Sequence, residues 1–466
     1  MPSAVNVHVE SIEVPTYVLG PDSPYPAFHW RGWRGHYPFS TKLDLSTRKR
    51  LVKHRIIVLE NAYLRAEILP DMGGRVYRLY DKVAGQETLM VPPSFKFQNI
   101  ALRGAWITGG IEFNFGYRSH TAVTCSPVSW AIRKDADGGA SVWVGTVIRP
   151  MESRWTVRIG LKPERSALDM EIFTMGPLVL PGMMYWWTNA AVEVGDRSRF
   201  YYYGTYAGDY APHSWPWTDG MDFSWPRNRI FGADMFLMEP QRDYLGFYDF
   251  QRQHGLAQTA NRFHSPGQKY FTWGANQRGR FWDFLLSDTG QTYCEIQRGR
   301  LPSQGRTEPL PPMVTESWTE TWLPINHTEG FSGTEGDLVI SVGPPEDNAA
   351  TIRLLSAVPR KGVRLEAFSE AGSPDVWETG AMTPGKPLAH RVALAAGQSV
   401  RRAMVTDTDG TVLMDWREFD FSTEDWYKRG HQHLDEDKAS LEELFTEAER
   451  ARFAIWPNGT EHAVGL

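Results

Sequence analysis

Three carboxylates in this chain sit among residues that would give them proton-transfer chemistry. Glu112 lies in RGAWITGGIEFN (residues 103–114), between aromatic residues, just after the Gly109-Gly110 pair and eight residues before His120. A carboxylate set among flat apolar faces loses water and gains proton affinity, and such faces stack on sugar rings. That combination suits a carbohydrate site in which a carboxyl group moves protons; the plain alternative is a glutamate capping a loop. Glu295 lies in TYCEIQRGR, where Tyr293, Glu295 and Gln297 share one strand face and Cys294 and Ile296 the other. This polar face builds a pocket if it points inward and is a solvated surface if it points outward. Glu320, in SWTETW, falls between Trp318 and Trp322 on one face. Buried and unpaired it would be costly, so it either meets an arginine or belongs to a site.

Around these carboxylates stand further candidates. The segment FHSPGQKYFTWG (residues 263–274) offers His264, Lys269 and Trp273, with Pro266-Gly267 predicting a tight turn. His213 belongs to the aromatic and glycine-rich stretch 201–225, whose Trp215, Trp217 and Trp225 would form a stacking wall or lid. The catalytic candidates are Glu112, Glu295, Glu320 and His120. For sugar stacking they are Trp187, Trp273 and Trp318; for hydroxyl contacts they are Arg75, Asn114, Asn189 and Lys269, and His264 is a further substrate-binding candidate. No phosphate loop, dinucleotide fingerprint, HExxH, CxxC or GxSxG motif occurs, so neither a cofactor nor a metal is expected.

The elements that must position these residues read as strands. In RWTVRIGLKP, Trp155, Val157, Ile159 and Leu161 alternate with Arg154, Thr156 and Arg158. VWVGTVI, LDMEIFTM and VRLEAFS repeat the pattern, with Asp/Gly turn signals between, and no helical period is visible before about residue 415. The expectation is an all-β protein. After Ser422 the composition shifts to Glu, Lys, Arg, Leu and Ala, and SLEELFTEAERARF (residues 440–453) predicts an amphipathic helix within a short C-terminal hairpin. The divisions expected are N-terminal strands and a loop (1–45), a large β domain (46–343), a smaller β unit after Gly343-Pro344-Pro345 (344–415) and the helical tail (416–466).

At 466 residues the chain exceeds the usual domain size, and a net charge of -6 without a basic block argues against nucleic acid as a partner. Nineteen Trp, 18 Tyr and 23 Phe are more than core packing requires, so a share of them is expected to line a binding surface. Two cysteines imply no disulfide framework, and the sequence has neither a secretory signal pattern nor a membrane-spanning run; a cytoplasmic protein is expected.

ENAYLRAEILPDMGGRVYRLYDKVAGQE (residues 60–87) resembles the first strands of the galactose-mutarotase-like β-supersandwich. RGAWITGGIEFNF, YWWTNAAV, HSPGQKYFTWG, EIQRGRLPSQ and ESWTETWLP, in that order, resemble the DUF5107 family over roughly residues 50–330. The resemblance implies a concave sheet face that binds carbohydrate. It also implies a glutamate on a late central strand as base and histidines on earlier strands as acid. Glu295 matches that glutamate by strand position, and His120 or His264 would answer for the histidines, although the mutarotase histidine motifs are not present as such. The leading expectation is a glycoside hydrolase using Glu112 and Glu295, with Glu320 a further candidate, on a small oligosaccharide or glycoside, by inversion. An aldose 1-epimerase or sugar isomerase needs one carboxylate and one histidine, and in that reading Glu112→Gln is mild. A lyase is weakened by the missing basic groove, and a non-catalytic carbohydrate-binding module is the remaining class. Carbohydrate is the expected partner, with homo-oligomerisation left open.

Overall fold

In the computed structural model the described residues are 4–24, 39–116, 119–149, 152–178, 182–208, 213–305, 308–370 and 372–422. The expected helical hairpin falls on residues outside this set. Two large antiparallel sheets dominate. The first runs, neighbour to neighbour, through Asn6–Leu19, Leu45–Glu60, Leu64–Leu69, Arg75–Asp81, Ile111–Gly116, Gly182–Glu193, Tyr293–Gly299, Gly267–Thr272 and Ala233–Met238, ending in the short strands Tyr206–Ala207 and His213–Ser214. The second runs through Ser198–Tyr201, Tyr244–Asp249, His254–Thr259, Thr315–Asn326, Leu168–Met175, Ser153–Leu161, Ala140–Ile148 and Ser129–Lys134. The expected all-β supersandwich is present.

The two sheets pack face to face because one side of each strand is apolar. Trp155, Val157, Ile159 and Leu161 are buried, as their alternation requires. From the first sheet Phe113 and Trp186 meet them, with ring centroids 6.1 Å and 5.9 Å from Trp155. A polar tie also crosses the layer. Asp81 Oδ2, on the first sheet, accepts from Asn326 Nδ2 at 3.1 Å and meets His254 Nε2 at 3.3 Å on the second.

Residues Met1–Phe419 form one compact unit, which includes a smaller β-sandwich. One of its sheets comprises Gly333–Glu335, Leu338–Val342, Ala349–Ser356 and Leu388–Ala393. The other comprises Asp375–Glu378, Val363–Phe368, Arg402–Asp407 and Val412–Arg417. Leu338, Ile352, Leu365 and Val405 lie in its core. Its first two strands precede the Gly343-Pro344-Pro345 break.

One feature departs from the expected absence of helix before residue 415. Gln277–Leu286 is an α-helix, capped where Gly279 N donates to Asn276 Oδ1 at 2.9 Å. Its buried residues Gly279, Asp283 and Leu286 follow helical spacing, but Phe281 and Phe284 are exposed and mask that period in the sequence. Among the described residues no helix is long and apolar enough to cross a membrane.

Glu320 lies in the layer between the large sheets, fully buried. Its Oε1 accepts from Thr188 Oγ1 of the first sheet at 3.0 Å and from Trp318 Nε1 at 3.2 Å. Burial pushes its carboxyl up to about 7, against the opposing pull of Trp318, Thr188 and the Arg298 charge. An unfolded chain ionises this group at its ordinary, lower value. Between the two values the folded state therefore holds the extra proton, and stability falls as pH rises from about 4.5 to about 7. The loss is on the order of 3 kcal/mol as an upper bound. Glu320→Gln removes this component. Urea unfolding of wild type and variant at pH 5 and pH 8 is expected to give the variant the smaller pH dependence; equal dependence in the two proteins contradicts the assignment.

Candidate active site on the outer face of the larger sheet

Strand register aligns a set of polar side chains on the face of the larger sheet that points away from the second sheet. Glu112 pairs with Asn189, Asn189 with Gln297, and Gln297 with Lys269, so four neighbouring strands contribute one row. Cross-strand partners share a face, and residues two apart along a strand join them. Glu295 and Tyr293 therefore flank the row on one side, and Asn114 and Trp187, themselves a register pair, flank it on the other. Phe113, Trp186 and Ile296 alternate with these positions and fill the layer between the sheets.

Glu112 is 3% exposed and closely surrounded. Trp106 Nε1 donates to both carboxylate oxygens, at 3.2 Å and 3.1 Å, and the Thr124 hydroxyl donates to Oε1. His120 Nδ1 lies 2.9 Å from Oε2, and Arg75 Nη2 lies 3.6 Å from Oε1. Burial alone would push this carboxyl up. The charge and hydrogen bond of His120, then the Arg75 charge and the Thr124 hydroxyl, outweigh it and bring the group down to about 2. Glu112 is a fixed anion.

The imidazole of His120 is held on two sides as well as at Nδ1. Its ring centroid lies 4.9 Å from Trp106 and 4.9 Å from Trp187. With Nδ1 committed to Glu112, Nε2 is the nitrogen left for other chemistry.

Glu295 is 4% exposed and differently placed. Gln297 Nε2 donates to its Oε2 at 2.9 Å, and Tyr293 OH reaches Oε1 at 3.5 Å. Burial raises its proton affinity; the His120 and Lys269 charges and a bond from Asn189 oppose this, and the Glu112 charge adds to it, leaving the carboxyl above its ordinary value. One face thus holds two carboxyl groups with divergent proton affinities, and an imidazole feels both.

The glycine pair shapes the approach to Glu112. Gly109 and Gly110 have φ of 93° and 71°, and a Cβ on Gly110 would lie 2.3 Å from the Val76 carbonyl. Arg75, expected to contact sugar hydroxyls, instead holds this turn. It donates to the carbonyls of Ile107 at 3.0 Å and Gly109 at 2.8 Å, and to Thr124 Oγ1 at 3.1 Å.

Glu112, His120, Glu295, Asn114, Asn189, Trp187 and Lys269 are brought together. Lys269 Nζ donates to Asp234 Oδ1 at 2.6 Å and lies 5.4 Å from the Trp187 ring centre. Trp273 lies beside the site, stacked on Trp282 at 4.3 Å, with its Nε1 donating to Tyr293 OH at 3.1 Å. Glu320 and Trp318 are not part of the constellation. Both face the opposite side of the larger sheet, where Trp318 packs edge-on against Trp186 at 5.8 Å. His264 is also elsewhere, in the turn closed by its amide on the Asn261 carbonyl at 3.1 Å, on a different cleft.

The candidate set omitted Trp106, Thr124, Asp234, Tyr293 and Gln297. Trp106, Tyr293 and Gln297 carried a signal, namely the aromatic flank of Glu112 and the period-two face of Glu295. Thr124 and Asp234 carried none. Among the described residues no group of three or more His, Cys, Asp or Glu is arranged to hold a metal.

Breaking the Arg75–Glu112 pair strands a buried charge. Arg75→Met is expected to destabilise the protein by about 3–5 kcal/mol in urea unfolding. Adding Glu112→Gln is expected to make the double variant cost less than the sum of the singles; strict additivity refutes the coupling.

A TPR-domain containing protein from Parabacteroides distasonis superposes with a TM-score of 0.64 at 26% sequence identity, covering 70% of this chain and 56% of its own. The chain therefore spans just over half the length of that protein. A galactose mutarotase-like protein from Clostridium acetobutylicum gives a TM-score of 0.45 at 12% identity, covering 59% of this chain and 96% of its own. A family model described as a domain of unknown function, DUF5107, matches residues 32–325, more than half of the sequence, and the chain belongs to that family.

Proposed function

We propose that the protein is a sugar-binding acid–base catalyst of the aldose 1-epimerase type, acting at the anomeric centre with Glu295 and His120. One observation carries this reading: Glu112 is already committed to His120, Thr124 and Trp106 as a fixed anion. Glu295 is then the carboxyl on this face whose proton affinity is raised. A two-carboxylate glycosidase needs a second carboxyl group free to reach water or the departing oxygen. Glu112 in its present bonds does not offer one.

The chemistry follows from the two groups. Ionised Glu295 takes the proton of the anomeric hydroxyl while protonated His120 delivers one through Nε2 to the ring oxygen. The bond from C1 to the ring oxygen breaks and C1 becomes a carbonyl. After rotation about the C1–C2 bond the steps reverse, closing the ring on the other face of the carbonyl and restoring both groups. Glu112 touches no substrate. It orients the imidazole through Nδ1, as a buried carboxylate does for a catalytic histidine. Glu112→Gln is therefore not mild in this mechanism, in contrast to the simpler one-carboxylate expectation.

The surroundings suit a polyhydroxylated ligand. Asn114 Nδ2, Asn189 Oδ1 and Gln297 Oε1 are buried on this face without partners among the described residues. A sugar supplies both donors and acceptors at such spacings, and unmatched buried groups favour a ligand that completes them. The Trp187 ring gives an apolar face beside them.

The direct test follows anomer interconversion of freshly dissolved aldoses by polarimetry or NMR across pH. Glu295 works ionised, so activity is expected to rise through a midpoint above about 4.5, its ordinary value. Glu295→Gln and His120→Asn are each expected to lose about 10²–10⁴-fold in kcat/KM. Monosaccharide release from oligosaccharides without accelerated anomer exchange returns the assignment to hydrolysis.

A further inference from the structure

A second binding surface lies away from this row. Three clefts adjoin one another, the first two between the large sandwich and the smaller one and the third on the large sandwich alone, with volumes of about 650, 400 and 650 Å³. The first and second share Asp243, Tyr244, Thr334 and Glu335; the second and third share Gln241 and Arg262. Each falls in the size range of ligand clefts, and together they make an elongated groove rather than a single hollow. We propose that this groove binds a linear, uncharged oligosaccharide.

The floor of the first cleft favours side-chain recognition of hydroxyl groups. It includes Ser317, Thr319 and Thr321 on the side of Thr315–Asn326 that faces away from the larger sheet, with Thr259 and Glu171 on the neighbouring strands. Thr315–Asn326 is paired on one side with Leu168–Met175 and on the other with His254–Thr259. The second pairing runs only from Thr321 to Asn326, so the cleft opens beside Ser317 and Thr319, where that pairing has ended.

Charge argues for a neutral ligand. Six of the ionic groups at the groove form three local pairs: Arg262 with Asp243 at 2.9 Å, Arg158 with Glu171 at 2.8 Å and Arg417 with Asp415 at 3.2 Å; Glu239, Glu335 and Arg242, of mixed sign, also line it. No cationic block faces an acidic polymer, and no acidic block faces a basic one. Aromatic surface is available where a sugar ring needs it. Tyr244 lines the first two clefts and Trp416 the second, and in the third Phe263 is 78% exposed with the Arg262 guanidinium 4.5 Å from its ring centre. The third cleft also includes Phe236, whose ring centre lies 4.8 Å from Lys269 Nζ, so the groove ends next to the candidate active site.

The test is titration calorimetry of the full chain with four hexasaccharides: β-1,4-linked glucose, xylose and mannose, and α-1,4-linked glucose. The variants are Phe263→Ala, Thr319→Arg and Glu295→Gln, each checked for an unchanged unfolding temperature. Both groove substitutions are on the surface, and Thr319→Arg obstructs the first cleft. At least one hexasaccharide is expected to bind wild type and Glu295→Gln alike and to bind each groove variant about tenfold or more weakly. Binding of none of the four overturns the proposal. So does binding that survives both groove substitutions, or binding lost in Glu295→Gln alone. Loss of anomer exchange activity with groove binding intact would strike the reaction and leave the groove standing.

Discussion

The buried negative charge of Glu112 is the constraint around which the site is organised. An ionised carboxylate removed from water is tolerated only when hydrogen bonds and opposite charge replace its hydration. Here Trp106, Thr124, His120 and Arg75 supply that replacement from four different places in the sequence. Satisfying Glu112 therefore fixes an indole, an imidazole and the Gly109-Gly110 turn at once. The direction of the His120 ring follows, since its Nδ1 is taken by Glu112. The same bonds neutralise a buried charge and set the imidazole in place.

The sheet then determines which residues accompany this centre. In an antiparallel sheet, register converts separations of tens to about a hundred residues into adjacency, as with Asn189 between Glu112 and Gln297. The rows on either side bring an indole along one flank and a tyrosine–glutamate pair along the other. Opposite faces of the same strands serve different ends: Trp186 and Ile296 fill the layer between the sheets, and Trp187, Glu295 and Gln297 build the site.

Much of this was legible in the sequence, and the failures have definite causes. Alternation in segments such as residues 154–161 shows which residues share a face, and the strands formed as read. Alternation cannot show toward which neighbour that face points. Glu320 between Trp318 and Trp322 has the same signature as a site carboxylate, yet its strand lies in the second sheet with that face turned toward the first. The bonds of Arg75 are invisible in the sequence for a related reason. Its role depends on the carbonyls of Ile107 and Gly109, which only the fold brings within reach. Thr124 and Asp234 carry no motif, because a hydroxyl or carboxylate that completes another residue's hydrogen bonds needs no particular sequence spacing. The Gln277–Leu286 helix was hidden by its own exposed phenylalanines.

Arg75 also bears on how such a pocket can be retooled. One guanidinium grips the carbonyls of the turn and faces the Glu112 charge, so loop shape and local potential are not separate variables. Randomising that turn in a laboratory library would sacrifice soluble protein before it altered ligand preference. Asn114, Trp187 and Gln297 stand on strands around the same centre without facing its charge, so changes there act on ligand contacts and packing apart from that charge.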